Sequence, residues 1–427
     1  MRHEQNWIAL AEILGPRSPY LKPLLAAFAT PEGIFAADEA QLCRVLPDIG
    51  AGLLKSLLGK RTAESARGIA LWCHQNAVRI LPFDHAEYPA VLRELDEPPA
   101  LLYCRGNLPD LGTRAVIGVV GPRRTDAYGE SVTYKISFEL AAAGAVIVSG
   151  LAEGVDGIAT AAALLAGGTP IAVLGSGIDV TYPRHHTKLL AECVERGAVI
   201  TEYAPGTPPN GYNFPIRNRL ISALSDAVLV TQAGEHSGAL ITARYAVIQG
   251  RPLYAVPGNV TSPLCAGSNR LLQSGAYPVL EARDLLRVLL PRYHRLLSEK
   301  QFEEAAQFSA LDAEKLQKLG LRLSKESVAS VSEPEEQAAP KRKKERKAKK
   351  EKKEKTPEQV PKTAAAPDLS SLTPRQRELY AMLPREPFTA DVLTANGVPI
   401  SEAASTLTLM EIYGLVASRP GGMFELK

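Results

Sequence analysis

The apolar positions of the first eighty residues recur at three- and four-residue spacings. LAEILG, LKPLLAAFATPEGIF, EAQLCRVL and AGLLKSLLGKR all show this period, and Gly15-Pro16, Pro31-Glu32-Gly33 and Asp48-Ile49-Gly50 punctuate them. The pattern predicts a helical domain over residues 1–80, four helices around a small core. DIGAGLLKSL within it also fits a helix–hairpin–helix element, in which a Gly turn offers backbone N–H groups to a phosphate. Residues 81–112 alternate strand-like pieces with Pro and read as a leading strand and loop. From 113 to 290 the period changes. Short apolar runs at 115–120, 145–148, 171–174, 198–201, 227–230 and 253–256 alternate with helical stretches at 126–143, 156–166, 185–195, 215–224 and 237–249. Runs such as AVIGVV, IAVL and AVLV are apolar on both faces, as strands of a parallel sheet covered by helices on both sides must be. The fold class expected for 81–290 is therefore α/β, a doubly wound parallel sheet of extended Rossmann-like form.

Beyond the sheet, residues 291–325 are amphipathic and predict a helical extension. Residues 326–368 combine low hydrophobicity, Pro and blocks of charge, the composition of a disordered linker. Residues 369–427 recover globular patterning. TPRQRELYAML, with Thr373 as N-cap before Pro374, FTADVLTANG and PISEAASTLTLMEIYGLV predict three helices. ASRPGGMFELK then predicts a hairpin turning at Gly421-Gly422, which completes a winged-helix outline.

Charge changes this picture in one place. The chain of 427 residues carries a net +3, but residues 341–355, KRKKERKAKKEKKEK, hold eleven Lys/Arg against three Glu and leave the remainder net acidic. The folded domains are therefore not basic as a whole. Five scattered cysteines without a CxxC argue against a disulfide framework or a cysteine zinc site and fit a reducing compartment. Without a long apolar run or a leader-like N-terminus, a cytoplasmic protein with no membrane partner is expected.

Ligands of open parallel sheets sit beyond the carboxyl ends of the strands, so the chemistry should lie in the loops that follow them. These are Gly121-Pro122-Arg123-Arg124-Thr125, Ser149-Gly150 through Asp156-Gly157, Gly175-Ser176-Gly177-Ile178-Asp179, the long loop to Gly211-Tyr212-Asn213-Phe214-Pro215-Ile216-Arg217-Asn218-Arg219, Gln232 through Ser237-Gly238, and Pro257-Gly258-Asn259. Gly-rich loops opening helices favour anions, and Arg123, Arg124, Arg217 and Arg219 can add charge-assisted phosphate contacts. Tyr212 and Phe214 can offer a face to a base. Neither GxGxxG nor GxxxxGK[ST] occurs, so no dinucleotide fingerprint or Walker loop is present and no cofactor is expected. Glycines after strands also serve tight turns alone, and the arginines can equally pair with the acidic background. Asp156 and Asp179 can cap helices. The adjacent His185-His186 should point in different directions, and no metal site is expected.

The segments GVVGPRRTDAYG, SGLAEGVDGIAT, GGTPIAVLGSGIDVTYP, ITEYAPGTPP, NFPIRNRLISALSDAVLV, SGALITARYAVIQGRPLYAVPG and GSNRLLQSGA, in this order, resemble the bacterial DNA-processing protein A (DprA/Smf) family, densely over 82–280. The resemblance implies an extended Rossmann domain behind a sterile-alpha-motif-like domain. It further implies a cytoplasmic, non-enzymatic homodimer that binds single-stranded DNA and loads the recombinase RecA during natural transformation. Carried onto this chain, the DNA-binding residues are Gly121, Arg123, Arg124, Thr125, Gly150, Gly175, Ser176, Asn213, Phe214, Arg217, Asn218, Arg219, Ser237 and Gly238. The chain departs from the family pattern at Pro122, where Ser is usual, at Glu153, where a basic residue is usual, and at Thr160, often His. Two rivals stand beside this reading. One is a nucleotide-cleaving enzyme on a related fold, whose PGGxGTxxE motif is replaced here by QAGEHSGALITA. The other is a duplex-DNA regulator acting through the winged helix and basic linker.

Overall fold

The computed structural model describes residues 2–59, 63–293, 297–329, 374–389, 391–396, 398, 406–407, 410, 415–419 and 423–426. It divides into two compact units, 1–338 and 339–427. The first opens with helices α1 (Arg2–Leu14), α2 (Leu21–Phe28), α3 (Pro31–Ala36), α4 (Glu39–Val45), α5 (Ala51–Leu58) and α6 (Ala63–Gln75), so the described part of the segment holds six helices rather than four. Short elements were merged by the sequence pattern where caps divide them. Thr30 Oγ1 accepts from the Gly33 amide ahead of α3, and Asp38 with Gln41 forms a capping box ahead of α4.

Strands β1 (Arg79–Pro82) and β2 (Leu101–Gly106) flank α7 (Ala90–Arg93) and lead into the sheet. There follow β3 (Val116–Val120), α8 (Ala127–Ala142), β4 (Val146–Ser149), α9 (Val155–Leu165), β5 (Pro170–Val173), a 3-10 turn (Arg184–His186), α10 (Thr187–Arg196), β6 (Ala198–Thr201), α11 (Asn213–Leu224), β7 (Ala227–Val230), α12 (Ala239–Ile248), β8 (Leu253–Ala255), α13 (Ala266–Gln273) and β9 (Tyr277–Pro278). The nine strands lie in the order β1-β2-β6-β5-β4-β3-β7-β8-β9. Neighbours from β6 to β9 pair in parallel, while β1 and β2 pair antiparallel at one edge. The chain thus winds outward from β3 in one direction through β4, β5 and β6, and in the other through β7, β8 and β9. The carboxyl ends of β3 and β7 form the topological switch point, where doubly wound sheets bind ligands.

The pleat separates two cores. Val116 and Val120 pack with Leu220, Ile221 and Ala243 of α11 and α12, whereas Ile117 and Val119 pack with Ile136, Leu140 and Ala159 of α8 and α9. A third cluster joins Trp7, Leu10, Leu24 and Leu42 of the N-terminal helices to Ile80, Tyr103 and Val199 of the sheet edge, so those helices bury their apolar stripe on the α/β body. Helices α14 (Ala282–Tyr293), α15 (Glu299–Ala306), α16 (Ala313–Lys318) and α17 (Lys325–Ala329) form an arm back across the unit. Buried Glu139 and Glu130 on α8 anchor it by accepting hydrogen bonds from the hydroxyls of Ser309 (2.7 Å) and Ser324 (2.9 Å).

The second unit contains α18 (Pro374–Ala381), β10 (Phe388–Thr389), α19 (Asp391–Ala395), β11 (Val416–Arg419) and β12 (Met423–Leu426), with sheet order β10-β12-β11. Leu379, Leu383, Phe388, Leu393 and Val416 fill its core, and the outline is that of a winged helix. The linker expected over 326–368 begins later than its composition implied, because residues 326–329 belong to α17, where Ser327 is buried. Its remainder, 330–368, together with Thr373 and the Gly421-Gly422 turn, lies outside the described residues. No helix among the described residues is long and apolar enough to cross a membrane.

Candidate functional site

A cavity of about 550 Å³ opens at the switch point. The loop after β3 supplies Gly121, Pro122 and Arg123, and the loop after β7 supplies Gly234, His236, Ser237 and Gly238. Ala152 comes from the turn between β4 and α9, Asp156 from the first turn of α9, and Phe214, Arg217 and Asn218 from the start of α11. Glycines let these loops close on one another. Gly154 has φ +75, and a Cβ there would lie 2.4 Å from the Pro122 carbonyl, so the β3 and β4 loops touch only because this residue lacks a side chain.

The rim is aromatic and cationic. Phe214 lies against Tyr182, with ring centroids 5.5 Å apart at 43°. Over the Phe214 ring sits the Arg123 guanidinium, 4.6 Å from its centroid, and the same group is 5.9 Å from Tyr182. Such a cation–π contact is worth roughly 0.5–1 kcal/mol at an exposed site. Phe214 rests on the backbone of Gly175, where a Cβ would come within 2.9 Å of its ring. Arg123, Arg124, Tyr182 and Tyr212 are exposed.

The floor is ionic and buried. Arg217, 2% exposed, donates from Nη1 to the carbonyls of Gly150 (2.8 Å) and Val173, and from Nε to Asn218 Oδ1 (3.1 Å). Asp156, 8% exposed, sits beside it, and a Cβ on Gly150 would come within 2.4 Å of both side chains. Burial raises the Asp156 pKa, against the lowering pull of Arg217 and Arg123, and burial likewise lowers that of Arg217, opposed by Asp156. Each charge offsets part of its partner's desolvation, and Arg217 thereby ties α11 to the ends of β4 and β5.

Of the sequence-predicted residues, Gly121, Arg123, Phe214, Arg217, Asn218, Ser237 and Gly238 meet in this cavity, and Arg124 is exposed next to it. Gly150 and Gly175 act from beneath, as the seats of Arg217 and Phe214. Four further expected residues are not brought into the cavity lining. Arg219 is 3% exposed and paired with Glu202 at 2.5 Å, because it lies five residues beyond Phe214 and so on another face of α11. Ser176 is buried with its hydroxyl donating to the Val180 carbonyl (3.1 Å). Asn213 is buried, and its carbonyl accepts from the Tyr203 hydroxyl (3.2 Å). Thr125 donates its hydroxyl to Gln232 Oε1 (2.8 Å) and stands outside the cavity lining. Sequence reasoning missed Tyr182 and left Asp156 undecided. The former lies far from Phe214 in sequence, and no spacing rule connects them.

The anion-binding role expected of the loop amides is narrower than the Gly content suggests. At the start of α12 the Ala239 amide donates to Ser237 Oγ, that of Leu240 to the Ser237 carbonyl and that of Ile241 to the Gly238 carbonyl. These donors are satisfied within their own turn. At this helix start an incoming anion therefore meets amides already satisfied, and the exposed positive charge on the neighbouring β3 loop is that of Arg123 and Arg124.

The chain is similar to proteins of one bacterial family. Residues 79–290 match the family DNA recombination-mediator protein A, and residues 362–422 match the DprA winged helix domain. The DNA processing protein DprA of Bacillus subtilis is 37% identical over 57% of this chain and 82% of its own length. Protein Smf of a Synechocystis species is 31% identical over 98% of both chains. Among solved structures, DNA processing protein A from Streptococcus pneumoniae superposes with a TM-score of 0.58 at 30% identity, covering 66% of this chain and 97% of that one. Relatives at these identities, matched over most of their length, place the chain in the DprA/Smf family.

Proposed function

We propose that the protein binds single-stranded DNA along the rim of the switch-point cavity. The observation that carries this reading is the Arg123–Phe214–Tyr182 cluster, a guanidinium over two rings at the mouth of a nucleotide-sized cavity. Stacking of bases on aromatic faces, with a cationic groove for the backbone, is how unpaired strands are held without regard to sequence. A base approaching Phe214 displaces Arg123 from the ring and leaves its guanidinium to bind the adjacent phosphate. Asn218, Ser237 and Gly238 line the opposite wall, while Arg217 keeps the N-terminal turn of α11 in place.

On this reading the protein acts as a homodimer, protects the incoming strand and loads it onto the recombinase RecA during natural transformation, without cleaving it. The description of the matched family as a recombination mediator supports the handover. Titrating matched single-stranded and duplex oligonucleotides is the decisive test. Preference for the single strand, lost in Arg123→Ala and Phe214→Ala, is expected; equal affinity for duplex, or unchanged affinity in both variants, removes the proposal. Incubation with nucleoside monophosphates should release no free base, and steady release would support the enzymatic rival instead.

A further inference from the structure

The two histidines expected to diverge converge instead. Among the described residues, one group of three metal-ligating side chains gathers its donor atoms, those of Glu153, His185 and His186, within 4.8 Å of one another. Tetrahedral zinc, with bonds near 2.0–2.2 Å, needs donors about 3.3–3.5 Å apart, so modest side-chain rotation closes the set.

Three features separate this cluster from a surface ion pair. His186 is buried, and its Nδ1 lies 3.0 Å from the Leu151 carbonyl. A carbonyl only accepts, so Nδ1 carries the proton and the neutral ring keeps its lone pair on Nε2. This is the outer-shell arrangement that orients ligating histidines. Nε2 of His185 lies 2.8 Å from Glu153 Oε2, yet the atom is buried and the pair does not have the geometry of a hydrogen bond. Two donors set side by side without a proton aimed between them suit a common third atom. The backbone around them is also fixed. Glu153 precedes the positive-φ Gly154, and Gly320 (φ +95) of the arm packs so closely on the 3-10 turn that a Cβ would lie 2.0 Å from the His185 carbonyl oxygen.

We propose that Glu153, His185 and His186 form a three-ligand site for a divalent transition metal, zinc in the first instance, with water completing the tetrahedron. Two imidazoles and a carboxylate are ligands that suit zinc over magnesium or calcium. The side chains of His185 and Glu153 are 24% and 28% exposed, which gives the ion a way in. Once bound, it would fasten the β4–α9 turn to the 3-10 turn that the arm covers.

The test uses the full-length chain without a histidine tag, stripped of metal with a chelator. Titrated Co²⁺ should produce the visible absorption of a four-coordinate ion, saturating near one equivalent and bleached by Zn²⁺. Zn²⁺ should also raise the melting temperature. Glu153→Gln and His185→Ala alter half-exposed positions and should keep the fold by circular dichroism. Each should weaken Co²⁺ binding by about tenfold or more, since replacing an outer-shell partner alone costs that much. Absence of uptake by the wild type overturns the proposal. So does uptake unchanged in both variants, which would place the ion elsewhere on the chain.

Discussion

At the cavity rim the charged and aromatic side chains are exposed or half-buried and held by stacking, whereas on its floor and behind it they are buried and held by ion pairs and backbone carbonyls. Arg123 and Phe214 belong to the first region, Arg217 and the Arg219–Glu202 pair to the second. Both sets come from motifs that look alike on paper, since NFPIRNR presents its aromatic and its arginines within seven residues. The helix sorts them. Phe214, Arg217 and Asn218 stand at i, i+3 and i+4 and share the cavity face, while Arg219 at i+5 turns away into the body of the unit. A motif can thus combine residues that touch a ligand with residues that keep the touching ones in place. The two kinds should fail differently when removed.

The largest effect is expected behind the cavity. Arg219→Ala leaves Glu202, 3% exposed, as a buried carboxylate without its partner. Burial already raises the Glu202 pKa, with Arg219 the main opposing influence. Removing one member of a buried pair costs roughly 3–5 kcal/mol. Urea unfolding should show that loss, and single-strand affinity measured well below the melting transition should stay near wild type. Unchanged stability with lost affinity would move Arg219 to the rim and dissolve the distinction.

At the rim the order reverses. Phe214→Ala and Arg123→Ala should each weaken single-strand binding by about 1–3 kcal/mol, from lost stacking and a lost charge-assisted contact respectively. Stability should change by no more than about 1 kcal/mol for exposed Arg123, the worth of the cation–π contact it gives up. Because the guanidinium covers the ring, the double variant should lose less than the sum of the two. Strict additivity, measured by fluorescence anisotropy, would mean that the two side chains do not cooperate on the strand.

Much of this was legible beforehand, and the exceptions are instructive. Strands buried on both faces announce themselves by continuous apolar runs, and β6 and β7 fall at the expected residues. The glycine-rich loops marked the carboxyl edge, and topology then brought Gly121, Phe214 and Ser237 together. What the pattern did not carry is long-range and side-chain specific. Tyr182 reaches Phe214 because β5 and β6 are neighbours in the sheet, and Glu202 captures Arg219 as α11 folds back beside the end of β6. Likewise Glu153 meets His185 only because the β4 and β5 loops are neighbours. The six N-terminal helices merged into four because caps such as Thr30, rather than changes in hydrophobic period, separate them.

A smaller effect probes the seat of the ring. Gly175→Ala places a Cβ within 2.9 Å of Phe214 without touching any charge. The ring must lift, and on the order of 1 kcal/mol of affinity should be lost, the low end of a stacking contribution. An affinity equal to wild type would show that the strand does not depend on where the ring lies.

The smallest effect separates stacking from charge. Arg124 is exposed and stands outside the cavity lining, so it can reach a phosphate but not a base held on Phe214. Each phosphate neutralised on a single strand steepens the log–log salt dependence by about 0.7. Arg124→Ala should therefore flatten that slope by about this amount and weaken binding only at low salt. Near 1 M salt, where the screening length shrinks to roughly 3 Å, the variant and wild type should converge. Phe214→Ala should behave oppositely, keeping the wild-type slope and its deficit at every salt concentration, because stacking releases no counterion. If the Arg124→Ala deficit persists at high salt, Arg124 makes a close contact shielded from solvent, and the boundary of the site must be drawn wider than the cavity.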